Sequence, residues 1–132
     1  MSVLVDTTVW SLALRRHKPI DRHGEYLFEM LNKKRAIIIG AIRQEILSGF
    51  RLTAQFTKLR DFLRDVPDLS PDTADYETAA EFYNFCLTKG VSGSQIDFLI
   101  CAVAMRRDME ILTTDKDFDR YQKYLPIRLL KI

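Results

Sequence analysis

The stretch Val3-Leu4-Val5-Asp6-Thr7-Thr8-Val9-Trp10 joins a short apolar run, an aspartate at its end and the start of a helical pattern. It predicts a buried β-strand over residues 2–6 and a helix over residues 8–14. Further apolar runs predict strands over residues 36–39, 66–69, 110–113 and 127–130. Helical periodicity predicts helices over residues 21–34, 41–50, 53–64, 71–87, 95–107 and 117–124. This alternation predicts an α/β sandwich with a parallel sheet of about four or five strands and helices on both faces.

Length and composition bound the class of protein. The 132 residues and the 47% hydrophobic content predict one domain, spanning residues 1–132, with its own core. No apolar run is long enough to cross a membrane and no signal peptide is recognisable, so we expect a soluble, cytoplasmic protein. Cys86 and Cys101 lie in apolar helical segments, which predicts two buried free thiols. His17 and His23 lack neighbours at ligand spacing, which argues against zinc.

Four acidic residues lie within or beside apolar sequence, where an ionised carboxylate is costly unless it is compensated. They are Asp6, Glu45, Asp97 and Asp115. Asp6 and Asp115 follow strands, and parallel sheets bind ligands beyond the carboxyl ends of their strands. Carboxylates about 5 Å apart repel by roughly 3 kcal/mol per pair at an effective dielectric of about 20, so a cluster needs a divalent cation or protons. Carboxylate ligands without Cys or His suit Mg²⁺ or Mn²⁺, which predicts a site that cuts a phosphodiester.

Each acid also has a simpler explanation. Asp6 or a following threonine would serve as a helix N-cap, and Glu45 would be an ordinary surface residue at the edge of an apolar stripe. Ser94 and Asp97 fit a capping box, in which the helix amino terminus also favours the charge of Asp97. Capping and cation binding are compatible roles.

The segment Thr113 to Phe118 holds two acids close together. We expect Asp115 to be a direct metal ligand and Asp117 to be an auxiliary acid, because Asp117 would also complete a capping box with Thr114. Asp119 is expected at the surface, paired with Lys123. Phe118 and Trp10 are expected in the core.

Basic residues are concentrated in the first half of the chain. Residues 1–64 carry 12 Lys and Arg against 6 Asp and Glu, whereas residues 65–132 carry 8 against 12. Either phosphate contacts or ordinary solvated helix faces would explain this imbalance. The candidates for phosphate contacts are Arg15-Arg16-His17-Lys18, Lys33-Lys34-Arg35, Arg51, Lys58, Arg60 and Arg64.

Four motifs, taken in order, resemble those of the PIN-domain family, and in particular the VapC-type toxins of bacterial toxin–antitoxin pairs. They are Val5-Asp6-Thr7-Thr8-Val9-Trp10, Gln44-Glu45-Ile46-Leu47-Ser48-Gly49, Asp97-Phe98-Leu99-Ile100-Cys101-Ala102 and Leu112-Thr113-Thr114-Asp115-Lys116-Asp117-Phe118. Each motif is loose by itself, but the ordered set is specific and spans nearly the whole chain.

The resemblance implies a metal-dependent endoribonuclease that cuts RNA, often tRNA or ribosomal RNA, and leaves 3′-hydroxyl and 5′-phosphate ends. It implies a homodimer neutralised by a small VapB-type antitoxin, and the aromatic residues between Phe50 and Phe62 would permit dimerisation. Carried over by position, Asp6, Glu45, Asp97 and Asp115 are the metal ligands and Asp117 is a possible fifth acid. Thr8 would hydrogen-bond a carboxylate or a water.

Two other classes share an aspartate at the end of an early strand. A phosphatase of the haloacid-dehalogenase type would need a second acid two residues after Asp6, where this chain has Thr8. A non-catalytic regulatory module of the receiver type would need an acidic pair beside Asp6 and a lysine after the last core strand. Val5 precedes Asp6, and Lys131 is nearly terminal.

Overall fold

The computed structural model describes residues 1–14 and 19–132. Its elements in chain order are β1 (Val3–Val5), α1 (Thr7–Ala13), α2 (Arg22–Asn32), β2 (Ala36–Ile39), α3 (Gly40–Ser48), α4 (Thr53–Leu63), β3 (Asp68–Leu69), α5 (Thr73–Thr88), α6 (Gln95–Arg106), β4 (Glu110–Leu112) and α7 (Asp117–Gln122). The basic run Arg15-Arg16-His17-Lys18 lies outside the described residues.

The four strands form one parallel sheet in the order β3-β2-β1-β4. Leu4 of β1 is paired with Ile37 on one side and Ile111 on the other. All three residues of β1 are buried, as expected for a central strand of a parallel sheet that helices cover. Helix α1 packs against both α2 and α3, α3 packs against α4, and α5 packs along α6. The predicted α/β class, with a parallel sheet flanked by helices, is confirmed.

The sheet is smaller than the apolar runs suggested. The predicted strand over residues 127–130 is wrong, since this segment makes only an isolated bridge between Leu129 and Ile111. Pro126 has no amide to donate, and the Ile127 amide donates to Leu125 in a turn, so pairing cannot extend toward the start of the segment. The strand predicted over residues 66–69 shortens to β3, because Pro67 also lacks an amide.

Helix α6 lies deep in the core. Its residues from Phe98 to Ala104 are all buried, against α5 and β4. Trp10 and Phe118 are fully buried, as predicted, and the Trp10 indole donates a hydrogen bond to the Val5 carbonyl at 3.2 Å. Cys86 and Cys101 are buried free thiols, also as predicted. Among the described helices, none combines the length and hydrophobicity that crossing a bilayer requires.

A buried ion cluster that the sequence reasoning missed joins α5 to the far end of α6. Asp75 is fully buried, and its Oδ1 accepts hydrogen bonds from Arg106 at 2.7 Å and Arg107 at 2.6 Å. Asp72 and Asp75 also form a reciprocal capping box at the start of α5. Burial acts to raise the pKa of Asp75, but the hydrogen bonds from Arg107, the Asp72 amide and Arg106 outweigh it and hold that pKa well below its ordinary value.

Candidate metal centre

Asp6 lies where β1 meets α1, and it is only 4% exposed. It is the N-cap of α1: its Oδ1 accepts from the Thr7 amide at 2.8 Å. Its Oδ2 accepts from the Thr8 hydroxyl at 3.0 Å and the Thr113 hydroxyl at 2.7 Å. Burial raises the pKa of Asp6 above its ordinary value, opposed by these three hydrogen bonds and reinforced by the charge of Asp115. The N-cap role and a place in the acidic site therefore occur together.

Thr113 connects the acids that follow the two neighbouring strands. Its hydroxyl donates to Asp6 and accepts from the Asp115 amide at 3.0 Å. The Asp6 amide also donates to the Leu112 carbonyl at 2.9 Å. Thr113 is not among the site residues predicted from the sequence. Its position, immediately beyond β4 and two residues before an acid, is the signal that would have identified it.

Asp97 lies in the first turn of α6, where the Ser94 hydroxyl accepts from the Asp97 amide at 3.1 Å. In a capping box the Asp97 side chain would in turn accept from the Ser94 amide. Asp97 Oδ2 instead accepts from the Tyr121 hydroxyl at 2.7 Å. Burial raises the pKa of Asp97; the hydrogen bonds from Tyr121 and Ser94 oppose this, and the charges of Asp6 and Asp115 add to it. Burial and the contact with Asp97 raise the pKa of Tyr121 far above its ordinary value, so the hydroxyl keeps its proton.

Asp115 and Asp117 lie beside Asp97. One carboxylate oxygen from each of these three residues lies within 4.8 Å of the other two. Asp117, expected as an auxiliary acid, is thus as much a part of this trio as Asp115. Such mutual proximity of half-buried carboxylates is unfavourable without a bound cation or protons.

Two smaller predictions at the start of α7 are wrong. Thr114 does not cap this helix; instead, Asp115 Oδ1 accepts from the Asp117 amide at 2.9 Å, and Lys116 occupies the N-cap position. The predicted pair of Asp119 with Lys123 does not form among the described residues. The ion pair of this helix joins Arg120 to Asp117 at 3.6 Å.

Glu45 reaches the same site from α3. It is exposed, and its Oε1 accepts a hydrogen bond at 2.8 Å from the hydroxyl of Thr7, the residue that follows Asp6. A cavity of about 390 Å³ is lined by Asp6, Thr7, Thr8, Ser11, Leu12, Glu45, Asp97, Thr114 and Asp115. All four acids singled out from the sequence therefore face one cavity at the carboxyl edge of the sheet.

Of the seven described basic residues considered as phosphate contacts, four make ion pairs or hydrogen bonds within the chain. Lys33 pairs with Glu29 at 2.8 Å, and the Arg35 side chain donates to the Met1 carbonyl. The run from Lys33 to Arg35 precedes β2, so it lies at the amino edge of the sheet, opposite the acids. Arg60 and Arg64 both pair with Asp61, at 3.1 and 3.8 Å. Within the described residues, Arg51 and Lys58 have no acid within ion-pair distance.

Among the described residues, the side-chain atoms at this cavity that could bind a metal are carboxylate and hydroxyl oxygens, with no Cys or His among them. This set fits a hard divalent cation rather than zinc. A protein-family comparison matches residues 3–124 to the PIN domain. The chain belongs to the PIN-domain family. The resemblance carried by the four motifs is thereby confirmed, and members of this family that act as nucleases depend on a divalent cation.

Related PIN-domain proteins are found by sequence and by structure. The chain is 30% identical over 119 residues to ribonuclease VapC11 of Mycobacterium tuberculosis and to VapC ribonuclease Mb1587 of Mycobacterium bovis, covering 89% of each chain. VapBC2 from Rickettsia felis, solved with a promoter DNA fragment, superposes with a TM-score of 0.78 at 19% identity, covering 99% of this chain and 98% of that chain. FitAcB from Neisseria gonorrhoeae superposes with a TM-score of 0.77 at 18% sequence identity, covering 98% of this chain and 96% of that chain. Because these sequence identities are low, the two structural matches establish the fold alone.

Proposed function

We propose that this PIN domain, spanning residues 1–132, is an endoribonuclease toxin of the VapC type that hydrolyses RNA with the help of Mg²⁺ or Mn²⁺. The observation that carries the proposal is the convergence of Asp6, Glu45, Asp97 and Asp115 on one cavity, at the carboxyl edge of the sheet. The ribonuclease activity of the curated relatives supports RNA as the substrate. An RNA substrate would be met in the cytoplasm, where we expect the protein to act.

The proposed ligands are Asp6, Glu45, Asp97 and Asp115, with Asp117 as a further acid. A bound divalent cation would supply a water of lowered pKa and would stabilise charge on the departing oxygen. The chain's part is to hold the acids in place. Thr8 and Thr113 fix the Asp6 carboxylate, and Thr7 holds Glu45. No covalent nucleophile is required, and the aspartate-dependent phosphatase alternative loses support because Thr8 donates to Asp6 instead of supplying a second acid.

An apolar groove next to the acids supports the proposed antitoxin partner. It is lined by Ser11, Leu14, Phe28, Glu45, Ile46, Gly49, Phe50, Gln55, Lys58, Leu59 and Phe62, and encloses about 740 Å³. The groove shares Ser11 and Glu45 with the acid cavity, so an apolar helix bound there would extend a tail to the acids. Co-expression with the product of a neighbouring reading frame should yield a stable complex that no longer cleaves RNA.

A homodimer is the proposed oligomeric state. Helices α5 and α6 leave a second groove whose lining includes Tyr76, Tyr83 and Leu99, and Tyr76 is 55% exposed. Exposed aromatic side chains of this kind are enriched at protein interfaces. Light scattering of the purified protein should give a mass of about twice the monomer's 15.4 kDa.

The test of function is RNA cleavage by the purified protein. Cleavage should require Mg²⁺ or Mn²⁺, stop with EDTA, and disappear in Asp6→Asn and Asp97→Asn variants that retain the far-UV circular dichroism of the native protein. Mapping RNA ends in cells that express the protein would identify the substrate. Full cleavage by both variants would exclude the proposed site, and turnover of a small phosphomonoester in place of RNA would favour the phosphatase.

A further inference from the structure

We propose that Tyr121 is a positioning residue for cation binding by Asp97, and that position 93 is a glycine because the Tyr121 hydroxyl occupies the space of a side chain there. The inference rests on the proposed metal-dependent function. Tyr121 and Gly93 both lie outside the four motifs that carry the family resemblance.

Packing fixes the Tyr121 hydroxyl. The side chain is fully buried, and its ring contacts Phe98 of α6 and Phe118 of α7, with centroid separations of 4.9 and 5.2 Å. From this packed ring the hydroxyl donates to Asp97 Oδ2 at 2.7 Å. Because a ring held on two sides has little freedom, the hydrogen bond constrains the rotation of the Asp97 carboxylate.

The loop before α6 provides the space for this hydroxyl. A Cβ atom built at Gly93 would overlap the Tyr121 hydroxyl oxygen and approach Cζ to 2.7 Å and Cε1 to 3.0 Å. The ring cannot retreat easily, since Phe98 and Phe118 pack against it. A residue larger than glycine at this position would therefore move the hydroxyl away from Asp97.

The hydrogen bond makes the two oxygens of Asp97 unequal. Oδ2 is held by Tyr121 at 2.7 Å, so Oδ1 is the oxygen that we expect to contact a cation. Tyr121 also belongs to the helix that begins at Asp117. The hydroxyl thus fixes the acid of α6 relative to the acid of α7, and these two belong to the trio within 4.8 Å.

The experiment is calorimetric titration of the full-length protein with MnCl₂, comparing the native protein with Tyr121→Phe. Removing a group that orients a metal ligand typically weakens metal affinity by about 10- to 100-fold, and we expect a loss in this range. Tyr124→Phe is the matched control: it removes the same group from an exposed tyrosine three residues away and should leave the affinity unchanged. Excess Mn²⁺ should restore most of the RNA cleavage by Tyr121→Phe.

A second variant tests the space at position 93 and guards against poor folding of the first. Gly93→Ala should weaken Mn²⁺ binding in the same way, whereas Gly40→Ala, where a Cβ meets nothing within 4 Å, should not. Tyr121→Phe with native Mn²⁺ affinity and only a lower melting temperature would overturn the positioning role. Gly93→Ala with native affinity would overturn the role of the glycine. If the native protein binds no Mn²⁺, the metal centre itself fails, which is a separate result.

Discussion

Replacing Asp97 with asparagine should make the metal-free protein more stable while abolishing its activity. Asp97 Oδ2 accepts from Tyr121, and the carboxamide oxygen of asparagine can accept the same hydrogen bond. The amide nitrogen then takes the place of Oδ1. The substitution preserves packing and removes one negative charge from a crowded group. Residues that serve a function at the expense of stability commonly behave in this way.

The magnitude follows from the spacing of the acids. Oxygens of Asp97, Asp115 and Asp117 lie within 4.8 Å of one another. Two full charges at this distance repel by about 3 kcal/mol at an effective dielectric of about 20. These side chains are partly exposed, and solvent weakens the repulsion, so we expect a gain of about 1 to 2 kcal/mol in the free energy of unfolding. For a chain of this length the melting temperature should rise by about 3 to 8 °C.

The gain should depend on pH in a defined direction. Burial is the main cause that raises the pKa of Asp97 in the folded protein, with the neighbouring Asp6 and Asp115 adding to it. A raised folded-state pKa means that the native protein loses stability as pH rises through that value, because the half-buried carboxyl group must then ionise. Asparagine does not titrate there. The two proteins should therefore melt at similar temperatures in acid, and the difference should grow as pH rises to 7.

The assay is thermal unfolding with EDTA at pH values from 4 to 7, repeated with saturating Mn²⁺. Ligand at about 100 times its dissociation constant adds about 2.7 kcal/mol to the native protein, so with Mn²⁺ the order of stability should reverse. Asp119→Asn, which changes an exposed acid of α7 that lies outside the trio, is the control and should change neither melting temperature. Equal stability of Asp97→Asn and native protein at pH 7 without metal would refute the reasoning, as would a gain that is the same at pH 4.

Three further predictions concern other contacts. Thr113→Val removes a hydrogen bond to Asp6 and should lower RNA cleavage by about 10- to 100-fold; Thr88→Val, on the exposed end of α5, is the control. Asp75→Asn should destabilise the protein by about 3 kcal/mol in urea unfolding at pH 7, because Arg106 and Arg107 lose the negative charge of their buried partner. The pKa of Asp75 is lowered in the fold, so this cost should shrink as pH falls below about 4. Lowering the pH from 7 to 5 should weaken Mn²⁺ binding, because protons compete for carboxylates whose pKa burial raises.

The parts of the fold that follow local rules were predictable. The strand β2 was recognisable because Ala36 to Ile39 is a short apolar run that ends at a glycine, and α6 because its apolar run is too long for a strand. The failures occurred where an apolar run does not determine pairing. Residues 127–130 have strand composition, but they make a single bridge, and the turn at Pro126 prevents pairing at the start of the segment. Strand pairing needs backbone amides, which proline lacks, and the pattern of apolar residues does not show which amides can pair.

The site was predictable only in its charged members. An ionisable residue beside an apolar run is conspicuous, and this identified Asp6 and Asp97. Thr113 and Tyr121 were missed because their types are ordinary in strands and cores, and only the folded structure brings them to a carboxylate. The buried Asp75 was missed for a related reason. Its partners lie more than 30 residues away, where Arg106-Arg107 looks like a solvated helix end.

The acidic site and the cluster of Asp75 with Arg106 and Arg107 lie at opposite ends of α6. At the carboxyl end of α6, Arg106 and Arg107 donate hydrogen bonds to Asp75. Positive charges at this end also interact favourably with the helix dipole. At its amino end it carries Asp97 toward like charges. A helix buried from Phe98 to Ala104 cannot tilt to relieve this repulsion without breaking core contacts. The favourable cluster and the core therefore keep the acids close before any cation binds, which reduces the reorganisation that binding requires.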